Sequence, residues 1–142
     1  MEKPIQDEVF GSLEWDPLLN CWLGGIDWPR ELHTEVAIWI PVGDLSAGLF
    51  RAHQSLDWLK LHEEEAHRVV AKAALRIYND AWRDEDEPMS EVEFIHRTEL
   101  GIAFKDDESL LLSYGAGEMF GGHVLDGLFD PNRSFRSVDL VG

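Results

Sequence analysis

Residues 63–81 read EEEAHRVVAKAALRIYNDA and carry the clearest periodicity in the chain. Three glutamates fall in the first turn of this stretch, where the dipole of a helix favours negative charge. The apolar side chains then recur at helical spacing and form one stripe: Ala66, Val69, Val70, Ala73, Ala74, Ile77, Tyr78 and Ala81. The stretch therefore predicts an amphipathic helix that packs its apolar stripe against another layer of the protein.

A second helix is predicted immediately before this stretch. Ser46 is a suitable N-cap residue, and the apolar positions that follow it keep the helical spacing as far as Leu59 or Lys60. We expect a break near His62, ahead of the glutamate-rich turn. The two helices would then form a helical hairpin.

The segments on either side have the period of two that is typical of strands. In the clearest of them, which ends at Pro41, one face carries Leu32, Thr34, Val36, Ile38 and Ile40. Similar alternation predicts three strands before residue 41 and four after residue 99. Ser90 and Glu93 fit a capping box for a short helix that ends near Thr98.

This order of elements predicts the fold class. Strands, then helices, then strands again are typical of an α+β protein, and a chain of 142 residues fits one domain. We therefore expect a single α+β domain over residues 1–142. It would contain a largely antiparallel sheet of about six or seven strands, packed against the helical hairpin and the one short helix.

The charge limits the classes of partner. The chain has 28 Asp and Glu residues against 12 Lys and Arg residues, so its formal net charge is -16. Nucleic acids and anionic membranes are normally bound through Lys and Arg, so neither is expected as a partner, whereas a basic protein would be attracted. We also expect a cytoplasmic location, because the N-terminus lacks the apolar stretch of a signal peptide.

The acidic residues are concentrated in two short runs. Asp84, Glu85, Asp86 and Glu87 stand directly before Pro88, and Asp106, Asp107 and Glu108 form a second run. Such runs are often solvated loops that keep a protein soluble. The alternative is that both are docking patches for a basic protein. A cation site is disfavoured at the first run, since it lacks the spaced ligands and the turn glycine of an EF-hand loop.

No motif points to catalysis or to a bound metal. His62 and His67 are five residues apart and lie around a helix on different faces, whereas the zinc-protease motif needs a spacing of four. Cys21, the single cysteine, has no activating neighbour and fits a small buried residue. We therefore expect no enzyme, no cofactor and no metal.

Two features indicate a pocket or a structural motif. Trp22 belongs to a group of tryptophans in the N-terminal strands, which fits either an aromatic core or an exposed anchor for a partner. Phe120 and Gly122 precede His123 at the start of a predicted strand, and a histidine there is typically held by a hydrogen bond to a neighbouring carbonyl or carboxylate. Trp22, Phe120, Gly122 and His123 are the candidate residues for this pocket or motif.

The C-terminal third resembles a bacterial family of small uncharacterised domains that end in a strand opened by an F-x-G-H motif. Phe120, Gly122 and His123 match its most recognisable segment, and the resemblance extends to residues 9–16 and 78–80. The family implies no catalytic residue, because it has no established activity. The size and acidity of the chain are also similar to those of bacterial immunity proteins, which neutralise a cognate toxin by binding it.

Together these observations predict a non-catalytic acidic binding protein. The leading hypothesis is an immunity protein that binds a basic cognate toxin, for example a nuclease, through the two acidic runs. The alternative is a housekeeping or regulatory domain that binds a small ligand in a pocket between the sheet and the helices. The sequence leaves the identity of the partner, the oligomeric state and the strand order open.

Overall fold

The computed structural model describes residues 3–29, 33–40, 44–83 and 88–142, and within them it contains one eight-stranded sheet. The strands are β1 (Ile5–Asp7), β2 (Gly11–Asp16), β3 (Cys21–Asp27), β4 (His33–Ile38), β5 (Glu99–Phe104), β6 (Leu110–Gly115), β7 (Val124–Phe129) and β8 (Phe135–Val141). The helices are α1 (Leu45–Ile77), which continues into a π-helical turn (Tyr78–Trp82), and α2 (Glu91–His96). The predicted α+β class is confirmed.

The strands lie in the sheet in the same order as in the chain. Every neighbouring pair is antiparallel except β4 and β5, which are parallel, with Val36 beside Ile102. Parallel neighbours need a crossover connection, and both helices lie in it. The sheet exceeds the predicted six or seven strands partly because the short β1 pairs with β2.

The predicted helical hairpin is wrong, because α1 is a single helix of 33 residues. No glycine or proline interrupts the chain from Leu49 to Trp82, so nothing in the backbone ends the helix near His62. The imidazole of His62 stacks on the ring of Trp58, with ring centroids 4.7 Å apart. Its Nδ1 donates to the Trp58 carbonyl oxygen at 2.8 Å, which is compatible with a continuous helix.

Several local predictions can be compared with the structure. The side chain of Ser90 accepts a hydrogen bond from the Glu93 amide, so the predicted cap of α2 is confirmed. The N-cap of α1 is Asp44 rather than Ser46. Leu32 and Pro41, at the ends of the predicted third strand, lie outside the described residues.

The hydrophobic core lies between the sheet and the helices. Alternate strand residues face this layer and are buried, among them Trp22, Ile26, Val36, Ile38, Ile102, Phe104, Leu110, Leu112, Tyr114, Leu125 and Phe129. α1 approaches β7 so closely that a Cβ atom on Gly127 would lie 2.6 Å from Val70 Cγ2. The helices thus cover one face of the sheet, and the alternate residues of each strand point to the other face.

Candidate functional site

A row of acidic and very small residues crosses the helix-free face of the sheet. Strand register places Gly25 beside Glu35, Gly101 beside Ser113, Ser113 beside Asp126, and Asp126 beside Asp139. Glu35 and Gly101 are neighbours as well, one residue before the pair Val36 and Ile102. We call these six residues of β3–β8 the acidic row.

An apolar row runs directly alongside it. Register places Leu23, Ala37, Ala103, Leu111 and Leu128 next to one another across β3–β7. The central residues of the two rows line a shallow open trough of about 510 Å³, namely Leu23, Glu35, Ala37, Gly101, Ala103, Leu111, Ser113 and Asp126. The floor of the trough is low at its centre because Ala37, Gly101, Ala103 and Ser113 have short side chains. A chain segment could therefore lie close to the sheet there.

An aromatic contact closes one end of the trough. The Lys105 ammonium group lies 3.9 Å from the ring centroid of Trp39. The Trp39 indole N–H donates to the Leu19 carbonyl oxygen at 2.9 Å and so fixes the ring against the β2–β3 turn. In the same turn the side chain of Leu18 is 94% exposed.

Cys21 lies at this end and is fully buried. Burial, together with the negative charges of Asp16 and Glu35, raises the pKa of its thiol. A raised pKa keeps the sulfur protonated and unreactive. The structural role expected for this cysteine is therefore supported.

The electrostatics of the helix-free face are one-sided. Glu14, Asp27 and Glu99 share this face with the acidic row. Asp126 and Asp139 stand directly opposite each other, and like charges in that position destabilise a sheet. Within the described residues, Glu35, Asp126 and Asp139 form no ion pair. These three carboxylates are thus not neutralised by an ion pair within the described part of the chain.

Asp84, Glu85, Asp86 and Glu87, the first predicted docking run, lie outside the described residues. The chain on both sides of them is held by Asn79. Its side-chain amide exchanges two hydrogen bonds with the backbone of Met89, at 3.1 and 3.4 Å, and its carbonyl accepts from Arg83 Nε at 2.9 Å. The described residues on the two sides of the run, Arg83 and Met89, are therefore held by one residue of the π-helical turn.

The second predicted run, Asp106, Asp107 and Glu108, forms the exposed turn between β5 and β6. Hydrogen bonds from Ser109 lower the pKa of the Asp107 carboxyl group. The backbone of Glu108 has a φ of 69° and its carbonyl accepts from Arg133 at 2.8 Å. These acids follow Lys105 directly, so they extend the acidic surface beyond the Trp39 end of the trough.

The structure does not bring the four predicted pocket residues together. Trp22 is a core residue of β3, in edge-on contact with Trp15. Phe120 is fully buried against Tyr78, Trp82 and Phe94. His123 and the exposed Gly122 immediately precede β7, four strands away from Trp22. His123 Nδ1 donates to the Phe120 carbonyl oxygen at 2.7 Å, which is the structural role that the sequence indicated.

A different cavity lies between the sheet and the helices, beside His67. It has a volume of about 90 Å³ and is lined by Pro29, His33, Thr34, Glu63, His67, Thr98, Glu99 and Leu100. The Thr98 hydroxyl donates to a backbone carbonyl of α2, so it accepts the 2.6 Å hydrogen bond from His67 Nε2. His67 Nδ1 lies 3.8 Å from Glu63 Oε1.

Tyr114 packs behind the imidazole of His67, with ring centroids 4.3 Å apart. Its side chain is fully buried, and its hydroxyl has no hydrogen-bond partner among the residues that the structure describes. Burial, with a smaller effect from Glu63, raises the pKa of this phenol well above its usual value. In the described part of the chain, no three metal-ligating side chains come together, here or elsewhere.

Sequence reasoning missed both the acidic row and the cavity. Only the pairing of distant strands aligns Glu35 with Asp126, so the sequence holds no signal for the row. A signal did exist for His67, because it is placed four residues after Glu63 and three before the buried Val70 on a helix. Its spacing from His62, which excludes a zinc motif, does not indicate this cavity.

The fold and this face define a class of α+β protein with one sheet face covered by helices and the other acidic and open. The chain belongs to a family of uncharacterised proteins conserved in bacteria (DUF2262), which matches residues 7–140. No curated protein and no solved structure gives a significant match. None of the described helices has both the length and the apolar character needed to span a membrane.

Proposed function

We propose that the protein is a non-catalytic binding protein that holds a basic protein partner. One observation carries the proposal: the acidic row lies on an open sheet face, and no basic side chain of the described residues forms an ion pair with its carboxylates. Carboxylates that face solvent in this arrangement repel one another, and a basic partner would remove that repulsion on binding. The net charge of -16 would also accelerate the encounter with such a partner.

The most specific form of this proposal is an immunity protein that neutralises a cognate toxin. Nuclease toxins have to bind phosphate and tend to be basic, so an acidic inhibitor can cover the active cleft without any chemistry of its own. In this form, the runs at Asp84–Glu87 and Asp106–Glu108 steer the toxin, and the open face of the sheet receives it.

Capture of partners by the tagged protein, at low and at moderate salt, tests this function. We expect one stoichiometric basic protein that is toxic when it is expressed alone. No specific partner, in cells shown to express the neighbouring genes, would contradict the proposal.

Once the partner is identified, the first acidic run can be neutralised by changing Asp84, Glu85, Asp86 and Glu87 to Asn or Ser. Association should slow roughly tenfold at low salt and depend less on ionic strength, while dissociation changes little. The matched control neutralises four exposed carboxylates of the α1 segment away from this run, Asp44, Asp57, Glu64 and Glu65. If the two quadruple variants associate equally fast, the predicted steering patch is wrong.

The cavity beside His67 favours a second candidate, the binding of a small ligand between the sheet and the helices. Its volume of about 90 Å³ is well below the ~300–1,000 Å³ of ordinary ligand pockets, so only a small ligand fits. A thermal-shift screen with small polar metabolites tests it, since a ligand at 100 times its Kd adds about 2.7 kcal/mol to the free energy of unfolding. A hit whose stabilisation survives His67→Ala would not be bound in this cavity.

A further inference from the structure

We infer that the trough is the binding site for an extended, arginine-bearing segment of the basic partner. One guanidinium group would bind at Glu35 and a second at Asp126. This inference rests on the proposed function and adds to it the surface, the conformation of the bound segment and the spacing of its basic residues.

The chemistry of the trough favours arginine. Glu35 and Asp126 are carboxylates on the rim of the trough, and each stands next to a residue with little or no side chain, Gly101 for Glu35 and Ser113 for Asp126. A planar guanidinium group binds a carboxylate through two parallel hydrogen bonds and is weakly hydrated, so it tolerates an apolar surface better than a lysine ammonium group does. The stem of the arginine would lie on the apolar row.

The His33 imidazole covers Gly25, so a ligand reaches Glu35 from the side of Gly101. The Ser113 hydroxyl donates to Asp126 Oδ1 at 2.7 Å and orients this carboxylate. His33 is paired with Asp27 at 3.2 Å. Lys105 is already placed over Trp39.

The strand spacing selects an extended segment. Glu35 and Asp126 are separated by three strand intervals, which is about 14 Å at ~4.8 Å per interval. An extended chain advances ~3.4 Å per residue and places every second side chain on the same side, so residues i and i+4 match this distance. A helix rises ~1.5 Å per residue, and its residues i and i+7 are only ~10.5 Å apart. Arginines four residues apart in an extended segment therefore fit the two carboxylates.

Two heptapeptides of identical composition test this geometry. In acetyl-ARALARA-amide the arginines are four residues apart, and in acetyl-ARALRAA-amide they are three apart and point to opposite sides when extended. We expect the first peptide to bind at least fivefold more tightly in an NMR titration. Its amide shifts should fall on residues 35–37, 101–103, 111–113 and 126–128. Equal binding of the two peptides, or shifts confined to residues 106–108, would overturn the inference.

Two controls keep the test independent of protein stability. Replacing both arginines of the first peptide by citrulline removes the charge without any change to the protein, and binding should be lost. The variant E35Q/D126N should also weaken binding at least fivefold, whereas D57N/D80N, with the same change in charge on the helical side, should stay within twofold of the wild type. Equal losses in the two variants would mean that only net charge matters, and would overturn the site.

The captured partner separates this inference from the proposed function. If the partner binds E35Q/D126N as tightly as the wild type, the trough is refuted and the function stands. If the arginine peptide binds in the trough but no partner is found in cells, the binding site stands and the proposed function is refuted.

Discussion

Replacing Tyr114 with Phe should stabilise the protein. The ring of Tyr114 is fully buried and stacks on His67, and Phe keeps the same shape. The change removes only the hydroxyl, which has no hydrogen-bond partner among the described residues. A buried polar group without a partner costs about 1–3 kcal/mol, so Y114F should raise the free energy of unfolding by about 1 kcal/mol. For a chain of 142 residues this corresponds to a rise in Tm of roughly 4 °C.

The same variant should change the pH dependence of stability. In the folded protein, burial raises the pKa of Tyr114 well above the value of about 10 that a tyrosine has in the unfolded chain. Above pH ~10 the unfolded state loses this proton and the folded state keeps it, so rising pH favours unfolding. The wild type should therefore lose up to about 1.4 kcal/mol per pH unit relative to Y114F, until the pKa of the folded state is reached.

Urea unfolding from pH 7 to pH 11 measures both effects. Y78F is the matched control, because it removes the hydroxyl of the other, half-buried tyrosine. A loss of 1 kcal/mol or more in Y114F at pH 7 would refute the reasoning, since it would mean that the hydroxyl makes a favourable bond, for instance to a buried water. If the stability of Y114F and of the wild type falls equally with rising pH, Tyr114 is not the group that causes the loss of stability above pH ~10.

Two further predictions concern the sheet. Asp139→Asn removes one carboxylate of the opposed pair with Asp126, so it should raise the free energy of unfolding of the free protein by about 0.2–0.5 kcal/mol. The same change should lower the affinity for the captured partner. Urea unfolding measures the stability and a binding titration measures the affinity. An increase in both would mean that this carboxylate is not used in binding. Gly127→Ala places a methyl group 2.6 Å from Val70 Cγ2, so it should cost about 1–3 kcal/mol by pushing α1 away from β7. If the double variant G127A/V70A regains the lost stability, the clash lies between these two side chains. If G127A is as stable as the wild type, the close packing of α1 on β7 is contradicted.

Sequence reasoning was sufficient where the signal is local. The alternation in residues 33–38 and 110–114 gave the strands, and the spacing of Ser90 and Glu93 gave the cap of α2. It failed at His62, because the charged residues that follow resemble the first turn of a new helix. In the structure, His62 instead uses the carbonyl of Trp58, one turn earlier, and the helix continues.

The parallel pairing of β4 with β5 could not be predicted, since it joins Val36 to Ile102 across the whole helical segment. The candidate site depends on that pairing. Glu35 and Asp126 each read as an ordinary solvent-facing residue of a strand, and they belong to one row only after β4 and β5 are in register. Because register is set by contacts between distant parts of the chain, the row becomes visible only in the folded sheet.

This pairing also divides the molecule into two meanders, β1–β4 and β5–β8, in which each strand pairs with its neighbour in the chain. Contacts within a meander close short loops and can form early, whereas the seam between the meanders closes only when a long loop is ordered. Glu35 lies on one side of the seam and Asp126 on the other. We therefore expect the trough to be completed late in folding, and we expect a segment bound across it to slow separation of the two meanders.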